Sequence, residues 1–175
     1  MSYHIYTTPG IILKRKTFGE SDTLLYVLTK DLGLILASAK STRLMVSKLR
    51  SSLQEYSLVN ISCIKGKNGW KITNVSSEKN LFFNSKDYAK KVLVQISAIL
   101  IKGIVGEFPQ KEIFETVESG FIVLSTIEER HISSFEVLMV LRVMYQLGYV
   151  VLDSNTMKYL NNNVAWDTEL FEQIE

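Results

Sequence analysis

Apolar and polar residues alternate with one period in the first half of the chain and with another in the second. Up to about residue 80 the apolar positions fall in short runs rich in β-formers. Ile11-Ile12-Leu13 leads into Lys14-Arg15-Lys16. Thr23 to Thr29 (TLLYVLT) predicts a strand, Lys30-Asp31-Leu32-Gly33 a turn, and Leu34 to Ala39 the return strand of a hairpin. Tyr56 to Ile64 alternates strictly. Val59, Ile61 and Cys63 lie on one face with Ser57 beside them, and Tyr56, Leu58, Asn60 and Ser62 lie on the other. Lys65-Gly66-Lys67-Asn68-Gly69 predicts a turn, and Trp70 to Val75 a fifth strand. Five short strands in this space predict a small closed barrel or a sandwich.

From Ser85 the spacing becomes helical. Tyr88, Val92, Ile96, Ile99 and Gly103 share one helix face. Ile113, Val117, Phe121 and Leu124 repeat the geometry after Pro109, which suits a first helical turn. Ser133-Ser134-Phe135-Glu136 has capping-box spacing and predicts a third helix, with Val137, Leu138, Leu141, Met144 and Tyr145 on one face and Gly148 as its stop. Asn161-Asn162-Asn163 reads as a loop, and Asp167 as the cap of a short last helix carrying Leu170 and Phe171. The change of period falls near Glu78 to Ser85. It predicts an α+β chain with a strand domain over 1–80 and a helical domain over 81–175. The apolar run Val92 to Val105 is interrupted by Gln95 and Lys102, so it reads as a buried helix rather than a membrane span.

Composition changes this picture little. The chain has 175 residues, of which 46% are apolar and 22% charged, enough to bury a core. Met1 to Gly10 lacks a basic region followed by an apolar run, so no signal peptide is expected and a cytoplasmic location is. Cys63 is the one cysteine, and His4 and His131 are far apart in sequence. An internal disulfide and a multi-thiolate zinc site are thereby excluded. Charge is more informative. The net charge of +2 hides an asymmetry: residues 1–80 hold twelve Lys/Arg and five Asp/Glu, a net of +7, and residues 81–175 hold eight and thirteen, a net of −5. A basic half of this kind is the natural place for a polyanion.

No HExxH, GxSxG, Walker-type GxxxxGK[ST] or GxGxxG pattern is present. Glu20 and Asp22 sit beside a turn, where carboxylates bond nearby backbone. Glu128-Glu129-Arg130-His131 reads as a helix end. These features predict a protein that is not an enzyme and needs no cofactor. The basic residues carry the functional signal instead. Lys14, Arg15 and Lys16 end the first strand; Lys40, Arg43, Lys48 and Arg50 fall in a Ser/Thr-rich segment; Lys65, Lys67 and Lys71 surround the last turn. Brought to one face of a barrel, they would bind phosphates through counterion release, with hydroxyls adding hydrogen bonds. Phe18, Tyr56 and Trp70 could each either stack a base or pack in the core. Trp70 follows Gly69 at a turn edge and joins the candidate site.

Gly10-Ile11-Ile12-Leu13-Lys14-Arg15, then Phe18-Gly19-Glu20-Ser21-Asp22 and Leu24-Leu25, resemble the opening of the bacterial recombination mediator family RecO. The resemblance continues through Leu28-Thr29, Gly33, Ala39-Lys40, Arg43, Ser47-Lys48-Leu49-Arg50, Leu53-Gln54 and Tyr56-Ser57-Leu58. It returns at Phe135-Glu136, Leu141-Arg142 and Leu147-Gly148-Tyr149. It implies an N-terminal five-stranded OB-fold barrel followed by an α-helical domain. It also implies binding of single- and double-stranded DNA, annealing of complementary strands, and work with RecR to load the RecA recombinase onto DNA coated by single-strand-binding protein. Many members carry a four-cysteine zinc module after the Leu-Gly-Tyr segment. Here Val150-Val151-Leu152-Asp153 follows without a cysteine, so no zinc is expected, and the end at Glu175 implies an abbreviated helical region. For the acidic tail of single-strand-binding protein, Arg142 is the candidate partner-binding residue. The competing expectation is an adaptor whose barrel docks an acidic partner and touches DNA little.

Overall fold

The computed structural model describes residues 4–18, 22–40, 52–151, 153, 157, 160, 166 and 168–172. By packing they fall into two compact units, Met1–Phe83 with Val105–Lys111, and Asn84–Ile104 with Glu112–Glu175. The short segment Val105–Lys111 lies between two helices in sequence yet packs with the strands.

The first unit is a closed ring of five strands: β1 (Ile5–Phe18), β2 (Asp22–Thr29), β3 (Gly33–Ala39), β4 (Ser57–Gly66) and β5 (Gly69–Asn80). They follow each other round the ring in the order β1-β2-β3-β5-β4, antiparallel except for a parallel contact between β3 and β5. This is the OB-type barrel, and its closure leaves no free sheet edge. Strand β1 is far longer than its apolar run suggests because it serves two partners. Ile5–Ile11 pair with β4 and Gly10–Phe18 with β2, and the register shifts between Ile12 and Lys14. That bulge is why Ile11, Ile12 and Leu13 are all buried and period 2 fails there.

Elsewhere the alternation decides what points inward. Ile12, Val27 and Ile35 pair across β1, β2 and β3 and meet in the core, and Leu25, Ala37 and Trp70 do so across β2, β3 and β5. Val59, Ile61 and Cys63 complete the core as their spacing predicts. The β2–β3 turn is fixed from several sides. Thr29 Oγ1 donates to the Gly33 carbonyl at 2.7 Å and accepts from the Leu32 amide at 3.0 Å, and Thr8 Oγ1 donates to Asp31 Oδ2 at 2.9 Å.

One helical turn, α1 (Leu81–Asn84), follows β5, its first three residues within the first unit. The second unit is helical, with α2 (Asp87–Gly103), α3 (Lys111–Leu124), a 3₁₀ turn (Glu129–His131), α4 (Ile132–Gln146) and α5 (Thr168–Glu172). Helix α3 buries Ile113, Val117, Phe121 and Leu124, the four positions its spacing predicts. Helix α4 differs from expectation. It opens at Ile132, straight from the 3₁₀ turn and without a side-chain cap, so the Ser133–Glu136 capping box is not formed. Its buried face is Phe135, Leu138, Met139, Arg142 and Val143, while Val137 is 57% exposed. Its end is as predicted. Gly148 takes φ +77, its amide donates to the Tyr145 carbonyl and the Tyr149 amide to that of Met144, a Schellman motif. Among the described residues no helix is long and apolar enough to cross a membrane.

Candidate nucleic-acid interface

The outward positions of the barrel form a second set of cross-strand rows. Lys16 lies opposite Leu24, Leu24 opposite Ser38, Ser38 opposite Lys71, and Lys71 opposite Ile64. One pair further along, Phe18 lies opposite Asp22, and Lys40 follows Ala39, the partner of Thr23. The β4–β5 turn places Lys67 and Asn68 beside these rows. The result is a groove of about 720 Å³ on the outside of the barrel, whose lining includes Phe18, Asp22, Ser38, Lys40, Lys67 and Lys71. Leu24 of β2, Ser38 of β3, Ile64 of β4 and Lys71 of β5 line it, with the end of β1, the start of β2 and the β4–β5 turn at its rim. In OB-folds the face of strands 2 and 3 and the loop between strands 4 and 5 take part in binding oligonucleotides.

Three predicted lysines, Lys40, Lys67 and Lys71, thus line one groove. Lys16 belongs to the same face by register, and its Nζ sits 5.4 Å from the centre of the Tyr26 ring. Lys14, opposite Tyr26, lies one pair further along. Arg15 lies opposite Leu25, an inward position, and is half-buried, so it does not share the face of Lys14 and Lys16. Arg43, Lys48 and Arg50 lie outside the described residues.

Two expectations near the last turn change. Trp70 is 4% exposed and belongs to the barrel core, so its ring offers no face to a base. The positive φ of Gly69, +93°, sets the turn that sends Trp70 inward, where Tyr6 meets it edge-on at 5.3 Å. Lys65 lies over that indole at 5.3 Å and donates to Glu107 at 2.6 Å. Its charge is met by a carboxylate, and it does not line the groove. Lys65 in turn holds the Glu107 carboxyl below its ordinary range. The Trp70 indole N–H is directed towards the same carboxylate but falls outside hydrogen-bond geometry. Ser38 and Asn68 line the groove without having been singled out in the sequence. The alternation of β3 carries the signal for Ser38, and the turn itself the one for Asn68.

The comparisons with known proteins agree with this barrel. Residues 1–79 match the family described as recombination protein O N terminal. The DNA repair protein RecO of Alkaliphilus metalliredigens is 31% identical over 85 residues, 49% of this chain and 34% of that protein. The Nostoc sp. protein of the same name is 32% identical over 111 residues, 63% of this chain and 38% of the relative. That of Heliobacterium modesticaldum is 24% identical over 145 residues, 83% of this chain and 52% of the relative. The N-terminal part of the chain is therefore similar to the N-terminal domain of RecO proteins. The RecO match takes in all of β1 to β4 and nearly all of β5, and with them every lining residue of the groove. The matches span from about a third to about half of the length of these RecO relatives.

Arg142, expected to meet an acidic tail, is 2% exposed, with its guanidinium carbon 4.1 Å from the centre of the Trp166 ring. Burial pulls its pKa down to about 10, so it stays charged at neutral pH inside the helical unit. A side chain so enclosed presents nothing to a partner, and Arg142 is withdrawn as a docking residue. The four-cysteine zinc set has no counterpart either. The one cysteine, Cys63, lies in the barrel core, and among the described residues no three His, Cys, Asp or Glu gather.

Proposed function

We propose that this chain is a non-enzymatic DNA-binding recombination mediator whose barrel groove holds the phosphates of single- and double-stranded DNA. The observation that carries this reading is the convergence of Lys40, after β3, with Lys67 and Lys71, from the β4–β5 hairpin, on one groove of an OB-type barrel. Each lysine that meets a phosphate releases condensed counterions, and this release drives binding without regard to sequence. Held in this way, two complementary strands repel each other less, and bases not gripped by hydrogen bonds remain free to pair. That is the physical basis of annealing without a nucleotide cofactor. In the RecO reading the same activity assists RecR in placing RecA on DNA coated by single-strand-binding protein. Lys14 and Lys16 extend the phosphate track along β1, and Arg43, Lys48 and Arg50 are assigned to it by their sequence position.

Fluorescence anisotropy with a labelled single strand and with its duplex, across a salt series, tests this reading. Five lysine–phosphate contacts, from Lys14, Lys16, Lys40, Lys67 and Lys71, predict a log–log slope of about −3.5 for a single strand, steeper if residues 41–51 contribute. Faster annealing of complementary strands is expected at the same protein concentrations. Affinity that ignores salt, or no binding at low salt, would remove DNA as the ligand and favour the adaptor alternative.

A further inference from the structure

We propose that Phe18 is the base-stacking platform of the groove and that it makes the groove prefer unpaired over paired DNA. This rests on the reading of the groove as a phosphate-binding surface. Phe18 is the last residue of β1, is 58% exposed, and lines the groove with Lys40, Lys67 and Lys71. A phenyl ring held out to water among lysines gains nothing from its present surroundings. A flat apolar partner that carries negative charge nearby would cover the ring and meet the ammonium groups together, and a nucleotide has both parts.

The other aromatic side chains near this end of the barrel are engaged elsewhere. Trp70 and Tyr56 are buried at 4% and 8% exposure, and Tyr56 stacks on Phe82. The Tyr26 ring is covered by Lys16, and Tyr6 packs between His4 and Trp70. Phe18 is therefore the aromatic ring that the described groove residues present to a ligand. In a duplex both faces of every internal base are already stacked, so only an unpaired base can use the ring.

The test compares a labelled single strand, the same strand with abasic sites replacing its central nucleotides, and the duplex, for the wild-type chain and for Phe18→Ala and Phe18→Tyr. The wild type should bind the normal strand about 5- to 150-fold more tightly than the abasic one for each base stacked. Phe18→Ala should bring that ratio close to one and reduce the preference for single strand over duplex by the same factor. Phe18→Tyr should restore both, which a folding defect in the alanine variant would not explain. A wild type that binds both strands alike with a steep salt slope overturns the role of Phe18 and leaves the phosphate groove standing. An unchanged ratio in Phe18→Ala does the same. Binding without salt dependence overturns the groove and this inference together.

Discussion

At Gly33 the backbone takes φ +74, and a Cβ there would lie 2.3 Å from the Phe108 carbonyl oxygen. Both the left-handed conformation and the close approach demand glycine. Gly33→Ala is expected to cost about 2 kcal/mol or more in urea denaturation. Cys63 is fully buried, and loss of hydration pushes its thiol up to about 11. It should stay unreactive to a thiol reagent at neutral pH and react only as the barrel unfolds. His131 is 3% exposed with neither ring nitrogen hydrogen-bonded, and it lies 5.8 Å from the Phe171 ring. His131→Leu removes two unsatisfied polar atoms from this apolar setting. It should stabilise the fold by about 1 kcal/mol, seen as a higher midpoint in urea denaturation. At this scale the sequence is ambiguous where one residue type suits two environments. Nothing in the letters around Trp70 or Arg142 separates an exposed ring or cation from a buried one, because burial is set by strands and helices distant in sequence.

The elements were more legible than their faces. The strands β2 to β4 and the three long helices stand where period and turn residues place them, because those signals are local, whereas β5 starts at the predicted turn but runs on past Val75 to Asn80. Strand β1 was underestimated because a bulge interrupts its alternation as it passes from β4 to β2. The face of α4 was misjudged because Arg142 occupies a buried position that an apolar-spacing rule assigns to solvent. Segment Val105–Lys111 follows α2 and leads into α3, yet its Glu107 meets Lys65 on the barrel. With its folded pKa depressed, Glu107 contributes stability that is present above the ordinary carboxylate range and lost as pH falls through the folded value. Glu107→Gln should therefore cost up to about 1 kcal/mol at pH 7 for this exposed pair. Wild type and variant should converge in acid denaturation below about pH 4.

For the whole molecule, the charge asymmetry was visible in the sequence, whereas the groove was not. A net of +7 over residues 1–80 says that a polyanion is favoured, but the same lysines could have been spread around the barrel. Closure of the ring in the order β1-β2-β3-β5-β4 brings β3 beside β5, and only this parallel contact sets Ser38 opposite Lys71. Lys40 and Lys67 thereby become neighbours across the groove although 27 positions separate them in the chain. The most direct test of this arrangement is the salt dependence of single-strand binding for Lys40→Ala/Lys67→Ala/Lys71→Ala. The variant should keep the wild-type unfolding midpoint, lose affinity for all sequences alike, and show a log–log slope shallower by about 2. A slope and affinity equal to the wild type's would mean that the groove does not hold phosphates.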